Sequence, residues 1–305
     1  MRKDLTCAMA LSVLLAGCAG PEVRVVKIAE KLHQIEARYE GDPAKIPGLA
    51  ARFKMRDLSE QELKNYSDRT IRVLYDAVSQ VTFHSPEEER FIGVQEAVLE
   101  EKLRRAPPND YDIGSMYKTY LDARMFAKAE SIKKRFPDTE FPSAPDVIIS
   151  ANPTGATRWR AYDVLDDGRK VELQALPLEE GWKVVMVMFP GCGVAERAMG
   201  EILSDPELAG AFKEHGLLVT ALFDAEGVAK WRSHFGFRRI YIASKRSDFP
   251  GFEFSSSPRF YFMKRGKITF QFEGWSGSRG PQTSKASWLK GLLAVADPAT
   301  APAAP

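Results

Sequence analysis

The spacing of apolar positions changes character along the chain. From Val23 to about Phe136, apolar residues recur at three- and four-residue intervals, with few β-branched runs and with Pro or Gly as punctuation, the pattern of amphipathic helices. Ser59 and Glu62 stand at capping-box spacing, and Leu63, Tyr66, Ile71, Leu74, Tyr75 and Val78 follow on one buried stripe. Ser85-Pro86-Glu87-Glu88 predicts another helix start, with Pro at the first helical position and acidic residues in the first turn. Asp112 to Phe136 reads as a helix hairpin. Prolines at 137, 142, 145 and 153 then mark a boundary. Beyond it the period becomes two: Arg158 to Leu165 and Lys170 to Leu176 alternate around Asp166-Asp167-Gly168, a hairpin signal. Trp182 to Phe189 is a continuous apolar run suited to a strand buried on both faces. Gly191 to Phe212 reads as loop and helix, Leu217 to Phe223 as a second buried strand, and Gly227 to Phe235 as a helix. Arg259 to Met263 and Lys267 to Phe272 form a second hairpin, and Ser284 to Leu293 a closing helix.

The amino terminus has a different logic. Arg2 and Lys3 precede the apolar stretch Ala8 to Leu15, and the small residues Ala16 and Gly17 stand directly before Cys18. That order of charge, apolar run and cleavage site is a signal peptide, and the run is far shorter than the roughly 20 residues of a spanning helix. Leu15-Ala16-Gly17-Cys18 resembles the lipobox of bacterial lipoproteins, which implies a lipid on Cys18. Ala19 after it, where Asp is the retention signal, implies the outer membrane facing the periplasm. The expected organisation is a leader at 1–17, a helical domain at 18–140, a linker at 141–157, a second domain at 158–294 and an Ala/Pro-rich disordered tail at 295–305. Of 305 residues, 44% are hydrophobic and 28% charged, enough for packed cores, and the net charge of +2 gives no reason to expect nucleic acid. Of the three cysteines, Cys7 leaves with the leader and Cys18 is acylated, so the mature chain has one thiol, Cys192, and no internal disulfide.

The order of pieces after residue 157 resembles the thioredoxin-like superfamily, and more closely its membrane-tethered periplasmic members of the TlpA/ResA type. The matching residues are Tyr162 to Arg169 with Val171 and Leu173, similar to that family's entry hairpin; Val184 to Phe189 followed by Cys192-Gly193, similar to its strand and active-site turn; and Ser257-Pro258 before Arg259 to Ile268, similar to its cis-proline strand and hairpin. The fold class this implies is α+β: an N-terminal all-α helical bundle followed by an α/β thioredoxin-like domain. The hairpin at 112–136 is similar to a tetratricopeptide unit, although a repeat array needs about three, and a plain bundle is the simpler expectation.

The resemblance implies Cys192 as the reactive residue, Gly193 and the Ser257-Pro258 backbone as substrate contacts, and a cis Ser257–Pro258 bond. Chemistry agrees with a thiol there. At a helix N-terminus it meets unpaired amides and the positive end of the dipole, both of which favour the thiolate, the attacking species in disulfide exchange. Arg197 adds positive charge one turn on, and Glu196 opposes it. This chain departs from the family where Gly191-Cys192-Gly193-Val194-Ala195 replaces Trp-Cys-x-x-Cys: Ala195 takes the place of the resolving cysteine, so no internal dithiol cycle is available. A mixed disulfide with a client protein or a small thiol remains open. A peroxiredoxin lacks support because the upstream Thr and Pro are missing, and copper delivery lacks a second cysteine. No metal or cofactor is expected from one thiol and the scattered His33, His84, His215 and His234. Two readings stand: monothiol exchange, or a thioredoxin fold kept as an interaction module with a vestigial thiol.

Overall fold

The computed structural model describes residues 20–37, 43–107, 109–142, 144–149, 158–276 and 284–295. The leader 1–17, Cys18, residues 150–157 of the expected linker and the tail from residue 296 lie outside them; Val295, assigned to the tail by sequence, is the buried last residue of a helix. By contact the chain forms two compact units, one of residues up to Thr82 together with Glu88–Pro108, the other of Phe83–Glu87 together with Asn109 onward.

The first unit is helical: α1 (Pro21–Ala37), α2 (Ile46–Ala50), α3 (Glu60–Asn65), α4 (Asp68–His84, to Thr82 in this unit) and α5 (Glu89–Arg105). Ser59 caps α3 by accepting the Glu62 amide at 3.5 Å. The stripe from Leu63 to Val78, continuous in sequence, is broken at Tyr66-Ser67, and Arg105 accounts for the break. Its guanidinium takes hydrogen bonds to the carbonyls of Tyr66 (2.7 Å) and Leu63 (2.8 Å), groups that an unbroken helix would pair internally, and contacts Asp68 at 2.9 Å. Glu101 is buried beneath this corner and ion-paired to both Arg104 and Arg105. The Ser85-to-Glu88 start is shifted: α5 begins at Glu89, and Glu88 precedes it with no side-chain cap.

The second unit adds α6 (Asp110–Asp122) and α7 (Phe126–Arg135) to a mixed sheet and its helices. The strands are β1 (Val147–Ile149), β2 (Arg160–Leu165), β3 (Lys170–Ala175), β4 (Trp182–Val187), β5 (Gly216–Thr220), β6 (Ile240–Ala243), β7 (Arg259–Lys264) and β8 (Lys267–Glu273), in the order β1-β3-β2-β6-β5-β4-β7-β8. β4, β5 and β6 are parallel neighbours, linked by α8 (Gly193–Ser204) with α9 (Pro206–His215), then by α10 (Ala225–Phe235). β7 and β8 extend the sheet antiparallel beyond β4, and α11 (Ser284–Val295) packs on both. This is a thioredoxin-like arrangement with an entry hairpin, β2–β3, attached through β6. The single helix expected up to Phe212 is two, separated at Asp205-Pro206, because Asp205 caps α9 by accepting the Glu207 amide at 2.9 Å and Pro206 occupies its first position.

The α6–α7 hairpin, grouped by composition with the helical half, belongs by contact to the sheet unit. Its turn explains why. Arg124 adopts φ +61 in the turn, and its guanidinium donates to the carbonyls of Ala221 (3.0 Å) and Ala243, just past or at the ends of β5 and β6. The carboxylate of Asp122 accepts the Phe223 amide at 2.7 Å, and the Phe126 and Phe223 rings lie 5.0 Å apart. Backbone groups that strand ends leave unpaired are thus satisfied from the hairpin. Burial pushes the Asp122 carboxyl above its ordinary range, against the pull of Lys118, the Phe223 amide and Arg124.

Asp122→Asn keeps the acceptor for Phe223 and removes a poorly solvated charge; it is expected to shift stability by less than about 1 kcal/mol, whereas Asp122→Ala orphans the amide and costs about 1–3 kcal/mol, both read from urea midpoints. In the first unit, hydrogen bonds from Arg104 hold the Glu101 carboxyl down at about 2 from 4.5, with Arg105 adding to them and burial opposing. A depressed acid contributes stability that is fully present above pH 4.5 and lost as pH falls toward 2. Helical circular dichroism of Glu101→Gln should therefore show a shallower acid-unfolding limb between those values than the wild type.

Candidate functional site

β4 places the site. Val184 to Met188 are wholly buried, packed in a core with Leu217, Val219, Tyr261 and Met263 around Val185 and Val187, and the strand is flanked on both edges by β5 and β7. The chain therefore leaves β4 only at its carboxyl end. Gly191, at φ +83, lies in the left-handed region that favours glycine and turns the chain. The Cys192 amide donates back to Phe189 O at 3.1 Å, and Cys192 is the N-cap of α8 with extended dihedrals. The first intrahelical bond runs from the Glu196 amide to Cys192 O at 2.9 Å, so the amides of Gly193, Val194 and Ala195 precede the helix's own pairing. Ala195, Ala198, Met199 and Ile202 bury the opposite stripe of α8 against the sheet unit.

The Cys192 sulfur is half-buried and its side chain makes no capping bond; Sγ donates instead to Ser257 O at 3.4 Å. The Ser257–Pro258 peptide is cis, as the resemblance implied, and Pro258 is buried. Ser257 does two things at once: its carbonyl receives the thiol, and its hydroxyl accepts the Phe189 amide at 2.9 Å. Pro258 O in turn accepts the Gly274 amide at 2.8 Å, tying the loop to the end of β8. Of the residues singled out by sequence, the structure thus brings Cys192, Ser257 and Pro258 together, with exposed Gly193 next in the chain. Cys18 lies outside the described residues. Glu196 and Arg197 are exposed, so solvent screens the charge each brings.

Two contributors carried no sequence signal. The Phe83 ring lies edge-on to Phe189, centroids 6.2 Å apart, making an aromatic flank beside the Cys192 turn. Arg246 fixes that segment by donating to the carbonyls of Phe83 (3.0 Å) and His84, while its own amide donates to Glu87 at 2.9 Å. Burial, aided by Arg246, takes His84 down to about 4, so it stays neutral at ordinary pH. The His215 ring lies against Trp182 at a tilt of 31° with centroids 3.7 Å apart, and burial also lowers it. Among the described residues no group of His, Cys, Asp and Glu is arranged to hold a metal ion.

No family model matches the chain, and neither does any curated protein. Among solved structures, the chain is similar to a thioredoxin-like protein from Bacteroides caccae ATCC 43185, with 12% identity over 88% of this chain and 93% of that one and a TM-score of 0.27.

Ser257→Ala removes the hydroxyl that pins Phe189 but keeps the carbonyl. Loss of one hydrogen bond of about 1 kcal/mol should loosen the turn and speed iodoacetamide labelling of Cys192 about fivefold. Ser257→Thr, which keeps the hydroxyl, should label at the wild-type rate.

Proposed function

We propose that this protein is a lipid-anchored component of the cell envelope whose thioredoxin-like domain carries out monothiol exchange with a client protein or a small thiol. The observation that carries the reading is the half-buried Cys192 at the N-cap of α8, beside the carbonyl of Ser257. In the proposed cycle the Cys192 thiolate attacks one sulfur of a disulfide. A new bond forms between that sulfur and Cys192, the old S–S bond breaks, and the partner sulfur leaves as a thiolate that takes up a proton. An outside thiol then attacks the mixed disulfide, releasing Cys192 and forming a new disulfide, so two electrons are exchanged between partners with no net oxidation of the protein. The amides of Gly193, Val194 and Ala195 at the start of α8 stand outside the helix's own pairing next to Cys192, and the Ser257-Pro258 backbone is the proposed contact for an extended substrate. The anchor rests on Leu15-Ala16-Gly17-Cys18, with the outer membrane as the proposed address.

A second reading, a fold retained as an interaction module, draws on one observation. The bond from Sγ to Ser257 O needs the thiol proton, so the geometry shown is that of the neutral sulfur.

The chain from Ala19 onward contains one cysteine, which makes the test direct. Glutathione disulfide should convert the native protein to a one-to-one mixed disulfide that a small dithiol reverses, both followed by intact mass. A protein that reacts only after denaturation has a structural thiol, and the exchange reading is wrong.

A further inference from the structure

Cys192 marks one end of the sheet, and the other end has a different chemistry. There β4, β5 and β6 begin, β7 ends and β8 starts. Trp182 pairs with Lys264 and Lys264 with Lys267, while Val184 pairs with Gly216 and Leu218 with Ile240. At strand spacings of 4.7–4.9 Å, five strand ends set side by side make an edge about 20 Å wide. Lys183, Lys264, Arg265 and Lys267 come to it from β4 and the β7–β8 turn. Lys213 near the end of α9, and Arg238 and Arg239 before β6, come from the other side. The acidic residues near them include Glu179, paired with Arg158 at 2.7 Å, Glu180, Glu214, whose carboxylate lies 3.3 Å from His215 Nε2, and Asp163 beside the start of β6, paired with Arg232 at 2.6 Å.

Most of this positive charge is not neutralised locally. Arg239 donates to the carbonyls of Glu214 (2.8 Å) and Phe212 (3.4 Å), closing α9 without a carboxylate partner. Among the described residues, Lys183, Lys213, Arg238, Arg265 and Lys267 form no ion pair. The excess of basic over acidic side chains here is larger than the net +2 of the entire chain, so the remainder is net acidic and the charge is segregated. In the middle of the edge sits the half-buried indole of Trp182, against the ring of His215.

We infer that this edge is a contact for an anionic membrane surface. Lys and Arg near anionic headgroups each contribute on the order of 1 kcal/mol, and a tryptophan ring at the level of the headgroups suits its mixed polarity. The inference rests on the anchor reading only in that an anchor would keep a membrane within reach. In this arrangement the six residues of β4 separate the membrane edge from the Cys192 end by about 20 Å, and the thiol remains open to partners in solution.

The test uses the chain from Ala19 onward, which contains every described residue, without lipid. It should sediment with vesicles of phosphatidylcholine and phosphatidylglycerol, and not with phosphatidylcholine alone, and raising salt should release it. Lys183→Gln with Arg265→Gln and Lys267→Gln should weaken partitioning roughly a hundredfold. Lys128→Gln with Lys133→Gln and Lys134→Gln, on α7, should leave it unchanged, provided each variant keeps the wild-type circular dichroism. No preference for anionic vesicles, an equal loss in the α7 variant, or retention by an acidic protein in the absence of any vesicle binding overturns the inference. Cys192→Ser should bind vesicles as the wild type does, which separates this result from the fate of the exchange reading.

Discussion

The burial of β4 from Val184 to its end is the constraint from which the second unit follows. A strand with no exposed residue from Val184 to Met188, flanked on both edges, leaves its neighbours no choice of register and the chain no exit except past its end. The turn at Gly191, the helix start at Cys192 and the loop carrying Ser257 and Pro258 all converge where that exit occurs. Ser257 completes the junction by bonding to the turn through its hydroxyl and to the thiol through its carbonyl. The position of the sulfur is therefore a product of the sheet, with the loop only fixing its last ångströms.

Around that sheet, arginines do the work of closing backbone ends. Arg124 satisfies carbonyls beyond β5 and at the end of β6, Arg246 those of Phe83 and His84, and Arg239 those at the end of α9. Arg105 does the same for the α3–α4 corner of the first unit. A planar guanidinium with several donors suits this role, because it reaches two carbonyls of different segments at once. Burying it is costly: desolvation lowers Arg124 to about 10, against the favourable field of Asp122. The expense is local and the return is a hairpin held to strand ends that would otherwise need water.

What could be read from sequence follows the physical origin of each feature. The β2–β3 and β7–β8 hairpins were legible because alternation and turn residues are local, and β4 because a strand buried on both faces is a continuous apolar run. The Cys192 junction and the cis bond at Ser257–Pro258 were legible through the order of those pieces. β6 was not: Ile240 to Ala243 is four residues long, preceded by Arg238 and Arg239, and its assignment comes from pairing with β5 and β2. The placement of α6 and α7 with the sheet was hidden for the same reason, since Arg124 meets Ala243 across 119 positions of chain. Nor does any local signal place Phe83 against Phe189 or give Ser257 its second bond. The break between α3 and α4 depended on Arg105, some forty residues away.

The central claim is that this junction holds a working nucleophile, and the rate of iodoacetamide alkylation of Cys192 at neutral pH, beside that of glutathione under the same conditions, tests it most directly. A working nucleophile at the start of α8 should react faster than glutathione under these conditions. A rate well below that of glutathione, rising to it only on unfolding, would contradict the account and leave Cys192 as a packing residue at the end of β4.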